Sequence, residues 1–176
     1  GTGYRQLYSH SILLGSTANG DVYRDPVISF SPRPATVGTL PSIITPYANA
    51  TKIVSSSVSN ISAFPVLIRK RDGLPYTGTF GASVSGGASI IDVLLADSSR
   101  FGDVIDIAMT TGSTADAASY FALRSNGDVY AWGRNFSSQT LGLGDQQPND
   151  VPNPRQITTL RNIASIAGRA GGAARR

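Results

Sequence analysis

Short apolar runs broken by glycine, proline and hydroxyl residues make up most of the chain, and almost no segment holds a helical period for long. Three stretches share one pattern: Ser11–Tyr23, Pro65–Tyr76 and Tyr120–Tyr130. Each reads as an apolar strand, then Asn-Gly or Asp-Gly, then an apolar residue and a tyrosine two and three positions on. The glycines Gly20, Gly73 and Gly127 lie 53 and 54 residues apart, and Tyr23, Tyr76 and Tyr130 keep the same spacing. Asn-Gly and Asp-Gly between apolar strands predict β-hairpins, and the expectation is a two-residue turn needing positive φ. A repeat of this length is of propeller scale, too long for a leucine-rich or ankyrin unit.

Further strands are expected between the hairpins. Lys52–Ser56 precedes the second hairpin and Val104–Ala108 the third, while Asn162–Gly168 stands where a fourth would be announced. Ser89–Leu95 is readable as a strand or a short helix. The prolines of Pro26–Pro46 and Pro148–Pro154 mark long connections. The expected organisation is a single repeat domain over 1–176, with repeats at 11–64, 65–119 and 120–168 and a basic tail at 169–176.

Composition sharpens this picture by exclusion. The 176 residues include 19 Gly and 10 Pro, only 15% are charged, and there is no Cys. That excludes a disulfide framework, a cysteine zinc site and a thiol nucleophile. One His excludes two-histidine metal motifs within the chain. No apolar run reaches the length of a membrane helix. The chain begins at Gly1 and its one methionine is Met109, so the expectation is a processed chain, a fragment, or a start that was not captured, and the compartment is not legible from the start. The net charge is +4, with basic residues grouped at Arg69–Arg71 and in the tail. Nucleic-acid binders carry denser basic stripes with interleaved aromatics, so these groups read as solvated charge.

Residues 122–135, Ala-Leu-Arg-Ser-Asn-Gly-Asp-Val-Tyr-Ala-Trp-Gly-Arg-Asn, are followed by Gln139-Thr140-Leu141-Gly142-Leu143-Gly144-Asp145 and by Pro148 to Gly168. Together, residues 120–168 resemble a repeat of the regulator of chromosome condensation family, with Thr140 as an insertion. The two earlier repeats are degenerate: both lack Trp-Gly, and Tyr76-Thr77-Gly78 is a remnant. The resemblance implies an all-β fold, a partial β-propeller-like array of about three four-stranded blades, where the family's propellers have about seven. Such an array stays open unless other chains complete it, because propellers remove sheet edges by closing. The structural signature is then Gly20, Tyr23, Gly73, Tyr76, Gly127, Tyr130, Trp132, Gly133, Leu141, Gly142 and Gly144.

No residue set points to catalysis, to a cofactor or to a metal. Leu141–Asp145 lacks the third glycine and following helix of a nucleotide loop. His10 has no placed carboxylate or serine partner. Asp92, Asp97, Asp103 and Asp106 lack the alternating spacing of a calcium loop. Trp132 reads as blade core. The sequons at Asn49, Asn60 and Asn135 matter only in a glycosylating pathway. Ser55–Ser62 reads as a blade strand, with an edge open to strand addition as the alternative.

The expected function is a non-enzymatic structural or recognition protein, extracellular or particle-borne, in a larger assembly such as a phage particle or bacterial surface structure. Its partners would be proteins or copies of itself as a homo-oligomer, with no nucleic acid and no membrane span. Two alternatives follow from the resemblance. One is a guanine-nucleotide exchange or chromatin-binding fragment. The other is a secreted inhibitor or adhesin binding through the loops Phe30–Pro46 and Gln146–Pro154.

Overall fold

The computed structural model describes residues 5–9, 12–16, 22–24, 42–43, 45–55, 63–81, 88–111, 118–135, 140–144, 150–168 and 173–175, with side chains over 46–55, 65–79, 89–110, 118–135, 140–144 and 150–168. Three four-stranded antiparallel sheets follow one another, each a simple meander. The first holds β1 (Arg5–Ser9), β2 (Ile12–Ser16), β3 (Val22–Arg24) and β4 (Ser42–Ile43). The second holds β5 (Ala50–Ser55), β6 (Ala63–Lys70), β7 (Pro75–Gly81) and β8 (Ala88–Asp92). The third holds β9 (Val104–Thr111), β10 (Ala118–Arg124), β11 (Val129–Arg134) and β12 (Asp150–Gln156). A two-stranded sheet of β13 (Ser165–Ala167) and β14 (Ala173–Arg175) comes last. The first strands of the sheets stand side by side, β1 against β5, β5 against β9 and β9 against β13. This is a partial propeller: three blades and the inner pair of a fourth.

The sequence repeats begin one strand later than the blades, because each motif starts on a blade's second strand. Ser89–Leu95 resolves as strand β8, followed by a turn closed by a bridge between Leu94 and Arg100. Among the described residues the one helical segment is a 3-10 turn at Thr45–Tyr47. Of the serine run, residues 56–62 lie outside the described residues, as do His10, Asn60 and the turn around Gly20.

The expectation of two-residue hairpin turns is corrected. The Gly73 N–H donates to the Lys70 carbonyl (3.1 Å) and the Lys70 N–H to the Leu74 carbonyl (3.2 Å), so the loop has three residues, Arg71-Asp72-Gly73. The loop Ser125-Asn126-Gly127 repeats this with the same donors and acceptors, both bonds at 2.9 Å. Only the glycines take positive φ, 76° at Gly73 and 83° at Gly127. This is a type I turn followed by a left-handed residue. The residue before each glycine is Asp or Asn for another reason: Asp72 Oδ1 accepts from the Leu74 N–H (2.9 Å) and Asn126 Oδ1 from the Asp128 N–H (3.1 Å).

The inner strands β5, β9 and β13 are each preceded by a left-handed Asn or Asp: Asn49 (φ 64°), Asp103 (φ 60°) and Asn162 (φ 55°). These are residue types that bear this conformation at low cost. Four residues on, Ile53, Ile107 and Ile166 are all buried. The joint ties to the hairpin turns on both sides. The Arg71 N–H donates to Asn49 O (3.0 Å) and the Ser125 N–H to Asp103 O (2.9 Å), within one blade. The Val104 N–H donates to Gly73 O (3.1 Å) and the Ile163 N–H to Gly127 O (3.2 Å), from the next blade.

Asn162 is exposed, so substitution tests the backbone alone. Asn162→Gly is expected to leave stability unchanged or slightly raised. Asn162→Val should lose about 1–2 kcal/mol, the cost of a β-carbon in the left-handed region. Urea unfolding midpoints of the two variants check the difference.

Candidate interaction surface

The seam between the second and third blades carries the main core. Trp132 is 3% exposed and stacks on Tyr120 (ring centroids 5.6 Å apart, 26° between planes), its partner across β10 and β11. Phe101, just ahead of β9, meets Trp132 edge-on at 6.0 Å and Tyr130 at 4.9 Å. Leu67 of the second blade and Leu141 join the same cluster. Offset and edge-on contacts of this kind add to the stabilisation from area burial.

Gly133 follows Trp132 because nothing else fits. Its φ is +93°, and a β-carbon there would lie 2.5 Å from the Ala118 carbonyl oxygen. Leu141 is fully buried, with Gly142 (φ +65°) and Gly144 (φ +69°) turning the chain beyond it. Asn135, 2% exposed, accepts from the Leu141 N–H (3.3 Å). Its amide is committed to that turn, whereas Asn49 is exposed.

The second blade solves the same packing with other residues. Gly78 lies two residues after Tyr76, as Trp132 does after Tyr130, so it occupies the tryptophan's place. Tyr47 stands where Phe101 stands, and its hydroxyl donates to the Thr79 carbonyl (2.9 Å), beside that glycine. In the first repeat Tyr23 lies on β3, paired with Gly15 and Ile43, and Gly20 is outside the described residues.

The structure separates the two ends of the blades. At the end with the hairpin turns, charges pair with one another. Arg100 meets Asp92 (3.1 Å), Arg124 meets Asp103 (3.1 Å) and Arg161 meets Asp128 (3.3 Å). Arg124 also lies over the Phe101 and Tyr130 rings at 5.6 and 5.7 Å, as Lys70 lies over Tyr76 at 4.7 Å. Between the inner strands, Lys52 reaches Asp106 (2.6 Å), whose other oxygen accepts from the Ile166 N–H (3.3 Å). Asp103 and Asp106 are therefore each held by a separate cation. Among the described residues no cluster of three or more His, Cys, Asp or Glu could hold a metal.

At the opposite end the seam opens into a groove of about 340 Å³. Pro65 and Thr79 of the second blade form one wall, and Tyr120, Arg134, Asp150 and Pro152 of the third form the other. Arg134 and Asp150 are paired (3.0 Å). Tyr120 is half-buried, and among the described residues its hydroxyl has no hydrogen-bond partner. In the second and third blades the sequence segments 56–62, 82–87, 112–117, 136–139 and 145–149, between consecutive strands, are rich in Ser and Gly and carry only Asp116 and Asp145 as charges.

The groove and the left-handed joints were not singled out from the sequence. A signal for the joints exists: Tyr47-x-Asn49-Ala50, Phe101-x-Asp103-Val104 and Leu160-x-Asn162-Ile163, each with isoleucine four residues after the Asn or Asp. It is shorter than the hairpin motif and lacks a glycine to flag it.

Gly133→Ala should cost more than about 2 kcal/mol, combining a left-handed backbone with a clash. Gly144→Ala, where a β-carbon meets nothing within 4 Å, should cost only about 1 kcal/mol of backbone strain. Thermal unfolding of the pair checks the contrast.

Burial pushes the Tyr120 phenol up to about 12 and, with help from the Asp72 carboxylate, Tyr76 to about 12 as well; burial raises Tyr47 too. The unfolded chain releases these protons near pH 10. Their contribution to stability is thus complete below pH 10 and is lost as pH rises toward 12. Urea midpoints measured across that window should fall, and less steeply for Tyr120→Phe.

Residues 126–173 match the family described as Regulator of chromosome condensation (RCC1) repeat. Among curated proteins no match was found. Among solved structures, the chain is similar to yeast RCC1 (Prp20), determined bound to Kap60, with 14% identity and a TM-score of 0.57, over 96% of this chain and 40% of that one. It is also similar to human WBSCR16, with 14% identity and a TM-score of 0.59, over 99% of this chain and 45% of that one. The chain thus spans less than half the length of either structure. Residues 126–173 thus match the RCC1 repeat, and the described residues share the propeller-blade fold of these two structures.

Proposed function

We propose that the chain is a non-enzymatic protein-recognition scaffold, a run of propeller blades acting as part of a larger assembly. The observation that carries this reading is how the described polar groups are used. The acids and bases at the hairpin-turn end, and the Lys52–Asp106 pair between the inner strands, tie strands and blades together. That chemistry makes a rigid body whose free surface is for contact. The likeness to yeast RCC1, solved bound to Kap60, supports a protein as the partner class. A phage particle or bacterial surface structure is one setting for such a scaffold, with copies of the chain or other proteins covering the exposed strands.

A second reading, nucleotide exchange on a small GTPase or chromatin binding, is favoured by the same likeness to RCC1. The pairing of Lys52, Arg100, Arg124, Arg134 and Arg161 with carboxylates speaks against its chromatin form, since phosphate binding draws on cations free to release counterions.

Two measurements separate the readings. Light scattering after gel filtration should show a discrete multiple of the chain mass if copies cover one another's edges. Added at micromolar concentration, the chain should leave nucleotide release from a small GTPase at its intrinsic rate. Accelerated release would replace the scaffold reading with the second one.

A further inference from the structure

We propose that the groove between the second and third blades binds an uncharged, extended, proline-containing segment of a partner protein, with the Tyr120 hydroxyl donating to a main-chain carbonyl of that segment. This rests on the recognition-scaffold reading and gives it a site.

Three observations select the occupant. The first is charge. The two charged residues lining the groove, Arg134 and Asp150, are paired with each other. An acidic or basic ligand would have to break that pair to gain a counter-charge. The sequence between consecutive strands of these two blades, away from the hairpin turns, is also nearly uncharged, with only Asp116 and Asp145. The second is shape and surface. Pro65, Pro152 and the Tyr120 ring give flat apolar walls, and Tyr120 is braced from behind by its stack on Trp132. Polyproline-type segments dock in such aromatic-bearing grooves because their extended form is already set before binding. A volume of about 340 Å³ suits a few residues of such a segment. The third is the unused donor. Tyr120 lines the groove with a hydroxyl that meets no partner among the described residues. Proline-rich backbone offers carbonyl acceptors and few N–H donors, so a lone O–H donor matches it.

The test uses the whole chain and three synthetic probes: acetyl-hexaproline amide, hexaglutamate and hexalysine. Backbone amide shifts in ¹⁵N NMR spectra are followed during titration. Hexaproline should shift Tyr120, Arg134 and Val151, with weak, saturable binding that changes less than about twofold between 50 and 500 mM salt. Tyr120→Phe keeps the ring and its stack while removing the donor. It should weaken binding roughly fivefold, the loss of one hydrogen bond. Thr79→Trp, at an exposed position on the opposite wall, should abolish binding by filling the groove. Both variants must first show wild-type amide spectra away from the groove. The proposal is overturned if hexaproline leaves these amides unmoved, if either charged peptide binds more tightly, or if Thr79→Trp binds as well as wild type. None of those results alters the chain's mass in solution or its effect on nucleotide release, so the scaffold reading stands or falls separately.

Discussion

The left-handed joint ahead of the inner strands β5, β9 and β13 is the constraint on which the array depends. A propeller blade must start its inner strand beside the preceding blade and then run antiparallel to its own second strand. The chain achieves this by one backbone reversal at Asn49, Asp103 and Asn162. The carbonyls of Asn49 and Asp103 accept a hydrogen bond from the turn of their own blade. The amides of Val104 and Ile163, each just after a joint, donate to the turn glycine of the blade before. The same short segment therefore closes one blade and positions the next. Asp and Asn serve here because they tolerate the left-handed region, and a β-branched residue would not.

Much of the fold was legible because hairpins are local. An apolar strand, a turn residue with a side-chain acceptor, a glycine and a tyrosine lie within a dozen residues, and this spacing survives in all three repeats. The turn class was less legible. Asp-Gly and Asn-Gly support two loop lengths, and the choice depends on whether the Asp or Asn bends left-handed or caps the turn with its carboxylate or amide. At Asp72 and Asn126 the cap won. The groove was not legible at all. Its walls come from Pro65 and Thr79 on one blade and Tyr120 and Pro152 on another, and only the packing angle between blades sets their separation.

Trp-Gly marks the third repeat so clearly because both residues are sterically fixed. Trp132 fills the seam, and Gly133 passes where a β-carbon would meet the Ala118 carbonyl. The second blade lacks this signature and keeps the same fold. Gly78 vacates the tryptophan's place, and Tyr47 replaces phenylalanine at the joint, with a hydroxyl that reaches the Thr79 carbonyl. The two solutions leave different marks in sequence and similar marks in structure, so the motif fades while the spacing of Tyr76 and Tyr130 persists.

That tolerance follows from the one-dimensional character of the array. Each blade touches its neighbours and little else, so a change in one seam can be compensated within that seam. The hydrogen bonds of the joints involve backbone groups and survive such exchanges. Side chains at the hairpin-turn end are held by ion pairs and by cations over tyrosine rings, as Lys70 lies over Tyr76 and Arg124 over Tyr130. Drift there would loosen the stitch between blades. In the second and third blades the sequence between strands away from the hairpin turns is rich in hydroxyl and small residues. An array that divides its ends in this way can vary one end without changing how its blades stack.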